Sequence, residues 1–278
     1  MDPPVTFGRV IPHAVQGARG RRWGWWYYAV YRVSSMRAYW PSIVGYGVVV
    51  PVLYLLAMGL GLGTLVDAHA GSVEGVAYLA FVGPSLLVTS AVMEVSGEFT
   101  YGVMDNFKWR KVYYGVIATP AGPGQIAIGE LVAVSARLAA QSGAFWVILV
   151  VSGSTTPGWS VLTVPIAVLA AMSFGAPLIA FTATRERDDF SFSFIQRFLV
   201  MPMFLFAGTF FPLASMPAYL QWIGWISPMW HGTQLARAVC FGLPLSGGQV
   251  VVHVAFLTVL TGVGTALAIV QFRRRLTR

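Results

Sequence analysis

The sequence has few charged residues and almost no cysteine. Charged side chains make up 10% of the 278 residues and hydrophobic side chains 56%, whereas about a quarter of an average soluble domain is charged. Cys240 is the single cysteine, which excludes an intrachain disulfide and a cysteine-cluster metal site. This composition is typical of a membrane protein.

Motifs for catalysis are missing as well. A phosphate-binding P-loop ends in Gly-Lys, but Lys108 follows Phe107 and Lys111 follows Arg110, and these are the two lysines of the chain. No H-E-x-x-H motif occurs, and the four histidines are too scattered to suggest a zinc site. We therefore expect no catalytic residue, no metal and no cofactor on this chain. We predict that the chain itself is not an enzyme.

Long apolar segments dominate the sequence. A membrane-spanning helix needs about 20 mostly apolar residues, and several uncharged runs are too long for one span each. TPAGPG at 119–124 and SGSTTPGW at 152–159 are the breaks on either side of the third span. We predict an all-α membrane protein with six transmembrane helices, at about 41–65, 76–97, 126–151, 161–183, 194–211 and 249–272.

The basic residues orient these spans. Sixteen of the eighteen lysines and arginines fall before the first span, in the second-to-third loop, around the fourth-to-fifth loop (Arg197 near the start of the fifth span), or after the sixth span. Arg9, Arg187 and Arg278 are among them; the two exceptions are Arg137, inside the third span, and Arg237, in an outer loop. By the positive-inside rule, both termini are cytoplasmic. The net charge of +8 then indicates topology and contact with membrane lipids, not nucleic-acid binding.

Two cytoplasmic segments flank the first two spans. RRWGWWYYAVYRVSSMRAYW (21–40) predicts an amphipathic helix in the inner interface, so residues 1–40 are a tail and interfacial helix and 41–278 the transmembrane domain. An ordinary membrane anchor explains it; contact with a partner is the alternative. The loop 102–118 mixes charged and aromatic residues that suit a docking surface, or else a solvated loop. Its candidate residues are Asp105, Phe107, Lys108, Trp109, Arg110 and Lys111.

An outer segment with three tryptophans follows the fifth span. The stretch AGTFFPLASMPAYLQWIGWISPMWHG (207–232) has no charged side chain and three prolines that divide it. Tryptophan rings settle at the headgroup level. We predict a pair of short re-entrant helices within 212–247; the alternative is a plain surface loop.

Four charged residues lie near or within the spans. Glu94 and Glu98 share one helix face, and Glu130 and Arg137 are two turns apart on the third span. Intramembrane charges mark pairing or a transport pathway. Pairing between helices or subunits is the favoured interpretation, and a proton relay is the alternative.

Two of these regions resemble a known family. GEFTYGVMDNFKWRKVYYGVIATPAGPGQIAIGE (97–130) and FLFAGTFFPLASMPAYLQWIGWISPMWHGTQLAR (204–237) are similar to ABC-2 type transporter permeases, in particular the lipo-oligosaccharide and drug exporter branch. The resemblance implies a permease that dimerises with a second copy or a paralogue and binds two ABC ATPase subunits, which carry ATP and magnesium. It also implies that 21–37 is a connecting helix, 103–114 a coupling helix, and the outer segment a pair of re-entrant helices.

The function expected from this resemblance is export across the plasma membrane. The cargo would be an amphiphile, a lipid-linked saccharide or glycolipid before a hydrophobic drug, because aromatic surfaces suit such molecules. Candidate pathway residues at the outer gate are Phe210, Phe211, Trp222 and Trp225. A non-transporting scaffold or sensor subunit of an ATPase complex is the alternative, and a lipid-modifying membrane enzyme is a third class.

Overall fold

The computed structural model describes residues 13–186 and 190–277, so Arg9, Arg187 and Arg278 of the orientation argument lie outside the described residues. The described residues are mainly helical and contain no β-strand, only an isolated bridge between Val73 and Val76. An all-α membrane protein fits this architecture. The α-helices are α1 (His13–Met36), α2 (Trp40–Val44), α3 (Val50–Leu56), α4 (Gly63–Ala70), α5 (Tyr78–Gly97), α6 (Val103–Lys108), α7 (Val112–Ile117), α8 (Pro123–Val151), α9 (Thr163–Ala183), α10 (Phe190–Ile195), α11 (Met201–Phe206), α12 (Ala218–Trp225), α13 (Pro228–Phe241) and α14 (Gly247–Leu276).

Short 3₁₀ and π segments connect or extend these helices. The 3₁₀ turns are Arg37–Tyr39, Trp159–Leu162 and Leu213–Ser215. The π-helical segments are Gly45–Val49, Ala57–Leu62, Glu98–Gly102 and Gln196–Val200. Because the Glu98–Gly102 segment keeps helical backbone angles at its two flanking residues, α5 continues without a break into α6.

Within the described residues, four helical stretches are long and apolar enough to cross a membrane. They are Tyr78–Lys108, Pro123–Val151, Trp159–Ala183 and Gly247–Leu276, which cover the second, third, fourth and sixth predicted spans. The first and fifth predicted spans fall on shorter apolar helices, Val50–Val66 and Phe190–Phe206. The latter ends before the predicted residue 211 because Gly208 has a φ of +78°, which a continuing helix does not adopt.

Helix α5 lies at the centre of the packed helices. Its side chains Phe81, Leu87 and Val92 are fully buried, and it contacts α8, α9 and α13. Helix α14 packs closely along α9. A Cβ atom at Gly264 of α14 would lie 2.4 Å from the Pro177 ring of α9, so the two backbones can approach only because this residue is glycine.

Backbone turns at the basic ends of the helices position residues 102–118, the candidate docking segment. Lys111 has a left-handed conformation with a φ of 51°, and this reverses the chain between α6 and α7. Gln125 ties the start of α8 to α1: its side chain accepts a hydrogen bond from the Gly122 amide at 3.0 Å and donates one to the Arg21 carbonyl at 2.8 Å. Helix α1 is therefore attached to the start of α8, the helix that follows the candidate docking segment.

Candidate functional site

A buried charge network joins α1 to α5 and α8. The Arg32 Nε donates to Glu130 Oε1 at 2.8 Å, and the Tyr28 hydroxyl donates to Glu130 Oε2 at 2.6 Å. Arg32 also forms an ion pair with Glu98. The Glu130 side chain is completely buried and has no access to water. Arg32 and Tyr28 therefore stabilise its carboxylate in place of water.

The network extends to Arg137. Its Nη2 lies 3.3 Å from Glu98 Oε2 and 3.8 Å from Glu94 Oε2. Glu98 is therefore shared by two arginines, one on α1 and one on α8. These contacts join charged side chains on different helices. In total, three carboxylates face two guanidinium groups.

Arg32 is the charged member of this network that sequence reasoning did not select. It lies among arginines and aromatic residues that look like an ordinary positive-inside segment. The structure buries Tyr28, Arg32 and Met36, which are spaced four residues apart on one face of α1. That spacing was the available signal, but sequence alone does not tell which face of an interfacial helix meets the bundle.

The candidate docking segment divides into exposed and buried residues. Trp109 is 53% exposed, and Lys108, Arg110 and Lys111 are exposed as well. Asp105 is half-buried and lies 3.9 Å from Arg110 Nη1. These residues form a charged tip at the end of α6.

Phe107 differs from the other candidate docking residues because it is buried. Only 2% of it is accessible. Its ring packs on Tyr113 and Phe272 with centroid separations of 4.6 and 5.0 Å, and the Arg275 guanidinium lies 3.8 Å above it. The mixture of aromatic and charged residues in this segment does not show that α14 covers Phe107.

The outer segment forms two short helices, α12 and α13, after a 3₁₀ turn. Among the four candidate pathway residues, Trp222, Trp225 and Phe211 are exposed. Phe210 instead packs edge-to-face on Phe204, with centroids 5.2 Å apart.

Trp222 borders an apolar groove of about 540 Å³ between α9, the 190–206 helix, α12 and α14. Phe181, Phe198, Met203 and Leu260 are among the other lining residues. The volume falls in the range of ligand pockets.

Arg237 fixes the outer segment to the bundle. It was placed in an outer loop, but it is completely buried. Its Nη2 donates to the Gly208 carbonyl at 2.7 Å, its Nε donates to the Phe81 carbonyl at 3.4 Å, and its guanidinium lies 3.6 Å above the Phe81 ring. Backbone carbonyls and a ring face thus replace water around this cation.

Two of the four histidines, which the sequence left scattered, meet near the outer segment. The Nδ1 atoms of His231 and His253 are 2.7 Å apart, and His231 Nε2 lies 3.0 Å from the Trp225 carbonyl. Because that carbonyl only accepts, the neutral His231 ring carries its proton on Nε2 and accepts from His253. Burial lowers the pKa of His231 and so favours this neutral form. Within the described ranges, no group of three metal-ligating side chains occurs.

Comparison with known proteins identifies the class of this molecule. Residues 35–241, well over half of the chain, match the family described as ABC-2 type transporter. The match includes both the docking segment and the outer helices. The chain therefore belongs to the ABC-2 type transporter family and is a multi-pass transmembrane subunit of that class.

Curated relatives agree with this assignment. Nodulation protein J of Rhizobium meliloti (strain 1021) is 27% identical over 256 residues, which cover 91% of this chain and 95% of that protein. Nodulation protein J of Rhizobium leguminosarum bv. viciae is 27% identical over 230 residues, or 82% and 85% of the two chains. The protein of the same name from Sinorhizobium fredii (strain NBRC 101917 / NGR234) is 26% identical over 257 residues, or 91% and 94%.

Proposed function

We propose that this chain is the transmembrane half of an ATP-driven exporter of an amphiphilic substrate. A separate ABC ATPase binds the tip formed by Asp105 and Lys108–Lys111, and binds and hydrolyses ATP with magnesium. Two permease chains, identical or paralogous, form the pathway across the plasma membrane. Each has six spans and cytoplasmic termini, the orientation favoured by the basic residues.

One structural observation carries this proposal: a single helix links the docking tip to the outer segment. Tyr78–Lys108 comprises 31 residues, a length of about 46 Å at 1.5 Å per residue. Its basic end leads into the exposed tip. At its other end, the Tyr78 hydroxyl donates to the Phe210 carbonyl at 3.1 Å, and the Phe81 carbonyl accepts from Arg237.

This connection provides a physical route for coupling. A displacement of the tip by the ATPase moves the same helix that holds the outer segment at Phe210 and Arg237. The charge network around Glu98 ties the middle of that route to α1 and α8. Motion at the tip is therefore transmitted as a rigid-element shift rather than through flexible loops.

The apolar groove and the exposed tryptophans favour an amphiphilic cargo. Trp222 belongs to both the groove lining and the outer pathway residues, and Trp225 is exposed nearby in sequence. An acyl or prenyl chain fits an apolar groove, while the N–H at the edge of an indole ring can donate a hydrogen bond to a polar headgroup. A lipid-linked saccharide or glycolipid is the first choice of substrate and a hydrophobic drug the second.

The docking proposal is tested with two variants of the full chain, co-expressed with its ATPase and reconstituted in liposomes. Trp109→Ala combined with Arg110→Ala is expected to abolish ATPase co-purification and substrate-dependent ATP hydrolysis. Arg21→Ala combined with Arg22→Ala, on exposed positions of α1, is the matched control and is expected to retain both. Full ATPase binding by the Trp109 and Arg110 variant would refute the docking assignment.

The same reconstitution separates transport from the alternative functions. An exporter moves a lipid-linked saccharide in an ATP-dependent manner and hydrolyses ATP faster when it is present. A scaffold or sensor subunit binds the ATPase but gives no substrate-stimulated hydrolysis. A lipid-modifying enzyme changes the lipid without an ATPase partner.

A further inference from the structure

A basic cavity lies beside the docking tip, between the ends of α6, α9 and α14. Its volume is about 650 Å³. Four cations line it, and within the described residues one carboxylate, that of Glu186, joins them. The lining cations are Lys108, Lys111, Arg274 and Arg275. All of them belong to the end of the bundle that the basic residues assign to the cytoplasm.

One cation of the cavity is held in place, and two others are exposed at its rim. Arg275 is held in place because its Nη1 donates to the carbonyls of Thr182 and Ala183 at 3.2 and 3.3 Å. Its guanidinium also stacks on the Phe107 ring. Lys111 and Arg274 are exposed, and no ion pair within the described residues involves either side chain. Exposed cations at the rim of a cavity can reach a ligand inside it.

The wall of the cavity is partly apolar. Phe107, Tyr114 and Ala183 line it together with the cations. A soluble anion gains nothing from such a wall, whereas a phospholipid places its phosphate among the cations and its glycerol and first methylenes on the apolar side. The cavity lies at the basic ends of helices that are long and apolar enough to cross a membrane, which is where lipid headgroups are expected.

From this combination of charge, shape and position, we infer that the cavity binds the phosphate headgroup of an anionic phospholipid of the inner leaflet. Basic pockets between membrane helices on the cytoplasmic side attract such headgroups. Lys108 and Lys111 belong to the docking tip, and Arg274 and Arg275 to the last helix. A bound lipid bridges these two elements and makes the position of the tip sensitive to lipid composition.

The test uses the purified full chain without its ATPase, so it does not depend on the transport proposal. Dioleoyl-phosphatidylglycerol is titrated into the chain in neutral detergent, and native mass spectrometry gives the affinity of the first retained lipid. Dioleoyl-phosphatidylcholine and inorganic phosphate are titrated in parallel. The cavity variant is Lys111→Gln with Arg274→Gln, and the control of equal charge loss is Arg21→Gln with Arg22→Gln.

The expected result is selective. Phosphatidylglycerol binds the wild type and the control with similar affinity and binds the cavity variant at least about tenfold more weakly, as expected for the loss of two interfacial cations. Phosphatidylcholine binds weakly to all three proteins. Because both substituted side chains are exposed, the variant is expected to keep the elution volume and melting temperature of the wild type.

Three outcomes would overturn the inference. Equal phosphatidylglycerol affinity in the cavity variant and the wild type would show that the lipid binds elsewhere. Competition by millimolar inorganic phosphate to the same extent as by lipid would identify a site for soluble anions. Unchanged lipid binding by the cavity variant, together with loss of ATPase co-purification when the same variant is separately co-expressed with the ATPase, would assign the cavity to an acidic segment of the ATPase.

Discussion

The Tyr78 hydroxyl donates a hydrogen bond to the backbone carbonyl of Phe210 at 3.1 Å. These residues are 132 positions apart in sequence, and the bond joins α5 to the segment that precedes α12. One turn along α5, the Phe81 carbonyl accepts from Arg237 of α13. The outer segment is thus attached to the helix that ends in the docking tip, so its position depends on the position of α5.

Arg237 is expected to stabilise this attachment. Arg237→Met keeps much of the side-chain volume but removes the donor to the Gly208 carbonyl. A lost hydrogen bond from a charged group costs about 2 kcal/mol of unfolding free energy. Thermal unfolding in detergent measures the loss, and Arg22→Met, at an exposed position, is expected to stay within about 0.5 kcal/mol of the wild type. Equal stability of the two variants would contradict the role assigned to Arg237.

The buried and surface ion pairs are expected to differ in strength. Glu130→Gln removes the buried negative charge that pairs with Arg32 and is expected to cost about 3 kcal/mol. Asp105→Asn removes the partner of the exposed Arg110 at 3.9 Å and is expected to cost less than about 1 kcal/mol. Chemical denaturation of both variants checks this order. A larger loss for Asp105→Asn would show that the network around Glu130 does not stabilise the bundle.

Phe107 and Trp109 are two residues apart and have opposite expected roles. Phe107→Ala opens a cavity between Tyr113 and Phe272 and is expected to cost about 3–5 kcal/mol. Trp109→Ala removes a half-exposed ring and is expected to change stability by less than about 1 kcal/mol while weakening ATPase binding. Melting temperature and ATPase co-purification, measured on both variants, separate the two effects. A stable Phe107→Ala protein would argue against the buried aromatic cluster.

The close packing of α9 against α14 predicts that replacing Gly264 with alanine lowers the stability of the protein. The Cβ of Gly264→Ala would lie 2.4 Å from the Pro177 ring, and overpacking of this kind costs about 1–3 kcal/mol. Gly262, on the same helix, has no atom within 4 Å of the corresponding position, so Gly262→Ala is the matched control and is expected to be neutral. Comparable melting temperatures for the two variants would mean that the helices are not in this contact.

Helix positions were largely predictable from the sequence because they depend on local composition. Apolar length located the helices of the second, third, fourth and sixth spans, and TPAGPG marked the turn before α8, which begins at Pro123. The first span falls on the apolar helix Val50–Val66, and the fifth falls on Phe190–Phe206, which ends before the predicted residue 211. Gly208, with a φ of +78°, ends the helix of the fifth span, and the hydropathy of the side chains does not register backbone conformation.

Contacts between distant elements were harder to predict. Arg32, Phe107 and Arg237 occur in segments whose composition resembles exposed basic or aromatic loops, yet all three are buried. Their burial depends on which elements pack against them: α8 for Arg32, α14 for Phe107 and the loop at Gly208 for Arg237. Sequence spacing identifies a helix face, but it does not identify the partner that covers that face.

The central claim is most directly tested by purifying the chain from its native host in mild detergent and identifying its bound partners by mass spectrometry. The proposal predicts a P-loop ATPase at about one copy per permease, present with the wild type and lost with the Trp109→Ala and Arg110→Ala variant. Recovery of the chain without any ATPase, under conditions in which a known exporter of this family keeps its own, would contradict the proposal.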